Sequence, residues 1–136
     1  MTRYVRADRI PRDRRAYELG SNGDNRDCTV RAVSAALCLD YYQVQLAFCA
    51  AGRRTGWGAN ILTVSEVLCS LTGDHSLRYK SCARPTLAQF LRTLGPGHYI
   101  VCARRHAFAI IDGVVHDWGR QSSGARVRIL CYWKVL

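Results

Sequence analysis

Seven cysteines and four histidines are the residues of this 136-residue chain whose types could carry covalent chemistry. Cysteine catalysis needs a thiolate, a base to make it, a group that orients the base, and donors for the developing oxyanion. Cys28 follows the polar stretch Ser21-Asn22-Gly23-Asp24-Asn25-Arg26-Asp27 and opens the first helical pattern. A helix start lowers a thiol's pKa through unpaired amides and the helix dipole, and Cys28 is the one cysteine so placed. Cys38, Cys49 and Cys69 fall in helical patterns and Cys102 and Cys131 in strand patterns, where free cysteine usually behaves as a small core hydrophobe. The count is odd, and there is neither a CxxC pair nor a zinc-type spacing, so the cysteines read as reduced thiols and no metal or cofactor is expected.

The base comes from a hairpin. Asp112-Gly113 between two apolar runs signals a two-residue turn, which sets Ile111 opposite Val114, Ile110 opposite Val115, Ala109 opposite His116 and Phe108 opposite Asp117. Side chains alternate along a strand, so His106, Phe108, Ile110, Val115 and Asp117 share one face and His116 and Trp118 the other. His106 and Asp117 become diagonal neighbours whose side chains can meet. In that arrangement His106 is the general base and Asp117 fixes its tautomer. Asn22 or Asn25, with the Cys28 amide, would serve the oxyanion. Plainer roles exist for each: Asn25 or Asp27 as a helix cap, Asp117 as an exposed strand-end carboxylate, His106 as a structural histidine. His75 and His98 read as loop residues, and the register disfavours a zinc site shared by His106 and His116.

The elements that must position these residues come in two blocks. Apolar spacing predicts four helices: Val30, Val33 and Leu37, the weakest because Ser34 falls in its stripe; Val44, Ala47, Phe48 and Ala51; Val64, Val67, Leu68 and Leu71; Leu87, Phe90, Leu91 and Leu94. Asp40 with Gln43, Thr63 with Glu66 and Thr86 with Gln89 match capping boxes, and Gly95-Pro96-Gly97 ends the fourth helix. Strands follow at 99–102, 106–111, 114–118 and 126–135. Helices followed by strands make an α+β fold.

The chain is of ordinary size and composition for one domain, taken here as residues 21–136. Residues 1–20 hold six arginines and little periodic apolar content, and read as an arm outside the core. The net charge of +10 comes from 18 arginines against 2 lysines. Arg3, Arg6, Arg9, Arg12 and Arg15 recur every third residue and are candidates for contact with nucleic acid or an acidic partner. No helix-turn-helix, RNA-binding sheet signature or zinc finger accompanies them. No membrane span or secretory signal is evident, so a cytoplasmic protein is expected.

Several stretches in order resemble small papain-like cysteine peptidase domains of bacteriophages and some bacteria. They are Asp27-Cys28-Thr29-Val30-Arg31-Ala32, Asp40-Tyr41-Tyr42, Ala50-Ala51-Gly52-Arg53, Arg84 to Phe90, Gly97-His98-Tyr99-Ile100-Val101, His106-Ala107, Ile110 to Asp117, and Tyr132-Trp133-Lys134-Val135. The resemblance covers roughly residues 21–136. It implies a helical half bearing the cysteine, packed on an antiparallel sheet bearing the histidine and acid. Carried over, Cys28 is nucleophile, His106 base and Asp117 orienter, with Asn22 where such enzymes commonly place glutamine. The function implied is a thiol hydrolase, a peptidase or isopeptidase acting on a protein or peptide in the host-cell cytoplasm or a virion. The rival expectation is a silent binding module, a virion component or an inhibitor of a host protein, whose basic arm contacts nucleic acid or an acidic partner.

Overall fold

The computed structural model describes residues 3–6, 27–54, 58–117 and 126–136, with residues 3–6 and 117 described by their backbone. The helices are α1 (Cys28–Leu37), α2 (Tyr41–Ala50), α3 (Ile61–Thr72) and α4 (Leu87–Thr93). The strands are β1 (Arg3–Arg6), β2 (Lys80–Ser81), β3 (His98–Ala103), β4 (His106–Ile111), β5 (Val114–Asp117) and β6 (Ile129–Lys134). They form one sheet in the order β1-β5-β4-β3-β6-β2. The run from β5 to β2 is antiparallel, and β1 joins β5 in parallel at the edge. The fold is α+β, with three of its four described helices ahead of the main sheet.

The two faces of the sheet bury different helices. Ile100, Ala107, Ala109 and Trp133 pack with α1, α2 and α3. Tyr99, Val101, Phe108, Ile110, Val115 and Ile129 pack with Leu87 and Phe90 of α4. Covered on both sides, β4 is buried at four consecutive positions, Ala107 to Ile110. The α1 helix lies between β4 and α2, and seven of its ten residues are buried. Ser34, which interrupts its apolar stripe in the sequence, is half-buried and donates its hydroxyl to the Leu39 carbonyl at 2.6 Å. Small side chains, Ala32, Ala35 and Ala36 of α1 with Ala107 and Ala109 of β4, let the two backbones approach closely.

Local chemistry sets the ends. Asp40 caps α2 by accepting from the amides of Tyr42 and Gln43, and Thr86 with Gln89 forms a full capping box on α4. The expected Thr63–Glu66 cap does not start α3. Asn60 does, accepting from the Thr63 amide at 2.8 Å, so the helix opens three residues earlier and Thr63 lies inside it. Asp112 (φ 47°) and Gly113 (φ 80°) both turn left-handed, as a primed hairpin turn requires. The register through Ile111–Val114, Ile110–Val115 and Ala109–His116 follows. A second tight hairpin, Arg104-Arg105, joins β3 to β4 with Arg105 at φ 57°.

Candidate active site

A hydrogen bond at one end and the nearness of two thiols at the other fix the direction of α1 on the sheet. At its last turn, Nδ1 of His98 bonds the Ala36 carbonyl at 2.7 Å, and His98 pairs with Ile111. At its first residue, the Cys28 thiol stands close enough to the Cys102 thiol to oppose its ionisation, and Cys102 pairs with Ala107. The helix therefore runs parallel to β4. Cys28 opens α1 and His106 opens β4, at the same end of the sheet. β5 carries Asp117 back toward that end, one step along the register beyond the Ala109–His116 pair. The Asp117 carboxylate lies outside the described atoms.

Register also sets which way these residues look. Cys28 packs with the helix-side cluster, whereas the His106 ring stacks on Phe108 at 5.9 Å between centroids, on the α4 side. A direct thiol–imidazole contact therefore requires the ring to reach past the start of β4. Asn22, Asn25, Arg9, Arg12 and Arg15 fall outside the described residues. Arg3 and Arg6 are placed by backbone on edge strand β1.

The start of α1 is held by a contact that sequence reasoning read as a cap. Asp27 occupies the cap position, but its side chain makes no capping bond. Its Oδ2 instead accepts from Arg31 Nε at 2.9 Å and from the Tyr41 hydroxyl at 2.6 Å, with all three residues buried. This ties the residue before Cys28 to the first turn of α1 and to the start of α2. The Asp27–Arg31 spacing of four is the helical ion-pair spacing and was visible in sequence; the Tyr41 contact is tertiary and carried no local signal.

The other cysteines divide by environment. All seven are free thiols. Cys38 and Cys49 are exposed rather than core residues, and Cys38 ends α1 in the left-handed conformation. Cys102 and Cys131 face each other across β3 and β6. Cys102 is held protonated by the hydrogen bond it shares with Cys131 and then by burial; Cys131 is shifted down because that bond favours its thiolate. Beside this pair a recess of about 480 Å³ opens between Ala59–Leu62 at the start of α3 and the ends of β3 and β6. Among the described residues no group of three or more His, Cys, Asp or Glu side chains gathers as a metal site would require.

His98 and His116 lie on the helix-side face at the other end. Burial pushes His116 below the usual 6.5, with the nearby His98 adding to the shift, and its Nδ1 has no hydrogen-bond partner. On acidification the unfolded chain takes up this proton first, so stability is full above about pH 6.5 and declines as pH falls toward the folded-state pKa. We expect the melting temperature to drop between neutral and mildly acidic pH, and His116→Gln to shrink that drop, measured by circular dichroism melts across pH.

No family model matches the chain, and no curated protein or solved structure matches it.

Proposed function

We propose that the protein is a papain-like thiol hydrolase, a peptidase or isopeptidase. Cys28 is its nucleophile, His106 its base and Asp117 the orienter of that base. The supporting observation is that α1 runs parallel to β4, which sets Cys28 and His106 as the first residues of adjacent elements at one end of the sheet. The Asp27 side chain turns inward to Arg31 and Tyr41 and leaves the first-turn amides of α1 uncapped by it. Those amides are the type of donor an oxyanion needs. The thiolate attacks the scissile carbonyl, the imidazolium returns its proton to the leaving amine, and water resolves the thioester.

One observation favours a second reading, a binding module that does no chemistry. The His106 ring rests on Phe108, on the side of the sheet away from α1.

Competitive alkylation with a small iodoacetamide, read by peptide mass mapping, separates the two. Cys28 is half-buried while Cys38 and Cys49 are exposed. An activated Cys28 reacts faster than both despite its burial, and His106→Ala abolishes the advantage. Cys28 reacting more slowly than the exposed pair, with no effect of His106→Ala, would leave the module.

A further inference from the structure

At the end of the sheet where Cys28 and His106 begin their elements, arginines gather. Arg104 and Arg105 form the β3–β4 turn. Across the adjoining strand pair, Ala103 lies opposite Ile129, which brings Arg128 beside Arg104. Arg128 bridges to Thr86, and its Nη1 donates to the Arg84 carbonyl at 3.1 Å. Arg126 is two residues away along the chain. All five of these arginines are exposed. Among the described residues none forms an ion pair, and the only salt bridge is the buried one between Arg31 and Asp27.

Four of the five described acidic side chains lie elsewhere or are engaged. Asp27 is taken up by Arg31 and Tyr41, Asp40 caps α2, Asp74 bonds Ser76 beyond α3, and Asp112 sits in the opposite hairpin turn; the fifth, Glu66, is exposed on α3 one turn after Leu62. Five exposed arginines at one end of the sheet, none of them ion-paired among the described residues, repel one another, and an anionic partner relieves that repulsion. Ala103 lies at the junction of two surfaces, the arginine cluster on one side and the apolar recess by Cys102 and Cys131 on the other. The exposed Ile61 and Leu62 rim that recess.

We infer that this end of the sheet binds an acidic peptide segment, with an apolar side chain in the recess at Ile61 and Leu62 and neighbouring carboxylates on Arg84, Arg104, Arg105, Arg126 and Arg128. That the segment flanks the bond attacked by Cys28 rests on the thiol-hydrolase reading; the binding surface itself does not. Guanidinium groups hold carboxylates bidentately, and an extended peptide presents both kinds of side chain a few ångströms apart. A single-stranded nucleic acid fits less well, since it needs aromatic platforms. The one large aromatic side chain exposed among the described residues, Tyr79, packs on Trp133 in the body of the sheet.

The test is fluorescence anisotropy on full-length Cys28→Ala protein, which binds without turnover. The probes are labelled peptides with leucine followed by a run of glutamates, the same peptide with glutamines, and alanine followed by glutamates, alongside an oligothymidine. The leucine–glutamate peptide should bind at least about tenfold more tightly than either variant peptide, and weaken as salt rises from about 50 to about 300 mM. Arg104→Glu/Arg126→Glu should remove that preference, and Arg104→Gln/Arg126→Gln should reduce it in part. Neither arginine side chain bonds another described group, so the fold does not depend on them.

Equal binding of glutamate and glutamine peptides, or binding unchanged by the charge reversal, would overturn the inference. So would tighter binding of the oligothymidine with the same dependence on Arg104 and Arg126. Failure here with His106-dependent alkylation of Cys28 intact removes the acidic-peptide surface and leaves the hydrolase. Binding as expected with an inert Cys28 removes the hydrolase and leaves the surface.

Discussion

Asp27→Ala is expected to destabilise the protein by about 3–5 kcal/mol, the cost of removing one member of a buried ion pair. The Arg31 guanidinium is almost fully enclosed, with 8% of its side chain exposed, and its Nε lies 2.9 Å from Asp27 Oδ2. The same substitution strips the Tyr41 hydroxyl of the oxygen it bonds at 2.6 Å, and Tyr41 is itself 1% exposed. Tyr41→Phe removes only the hydroxyl and its bond, so it should cost nearer 1 kcal/mol. Asp27→Leu with Arg31→Met replaces the ion pair by apolar volume and should recover much of the loss, since desolvation of the pair offsets most of its attraction. Urea denaturation of the three variants with unchanged m-values would establish the order. A loss below about 1 kcal/mol for Asp27→Ala would mean that the Arg31 charge is satisfied without Asp27 and that this ion pair does not hold the start of α1.

How much of this was legible in sequence depended on whether the signal was local. The Asp112-Gly113 hairpin was readable because few residue types accept left-handed φ at both turn positions, and once the turn is named the register of His116 and Val115 follows. Arg104-Arg105 makes an equally tight turn from residues with no turn preference, so nothing marked it. The caps at Asp40 and Thr86 are contacts within four residues and so are legible, although the full box forms only between Thr86 and Gln89 and Asp40 caps α2 without a return bond from Gln43. At α3 both Asn60 and Thr63 are cap-type residues, and the apolar pattern could not decide between them. That α4 covers the opposite face from the other helices is a tertiary fact; an apolar stripe says that a face is buried, not against which side of a sheet.

The site was legible to the same extent. The helix-start position of Cys28 and the strand-start position of His106 follow from local patterns, and the fold brings both to one end of the sheet. The direction of the His106 ring follows from alternation, which sets it with Phe108. The arginine cluster escaped a reading of the leading segment's regular arginines, because Arg84, Arg104 and Arg128 are distant in sequence and meet only through the pairing of β3 with β6 and of Thr86 with Arg128.

If Cys28 and His106 act as one unit, removing either should cost about as much as removing both, because a thiol without its base and a base without its thiol are equally idle. An activated aryl ester, p-nitrophenyl acetate, tests this without knowledge of the natural substrate. Wild-type protein should release a burst of p-nitrophenol stoichiometric with enzyme and carry the acetyl group on Cys28. Cys28→Ala and His106→Ala should each slow the burst by about 10³-fold or more, and the double variant no further. His106 lies at the first position of β4, half-exposed and next to the Arg104-Arg105 turn, so its substitution leaves the buried run from Ala107 to Ile110 intact. Loss of the burst therefore cannot be charged to loss of the strand. Additive effects of the two substitutions, or acetylation of the exposed Cys38 and Cys49 ahead of Cys28, would separate the thiol from the imidazole. The ring would then belong with Phe108, as a structural histidine of the α4 face.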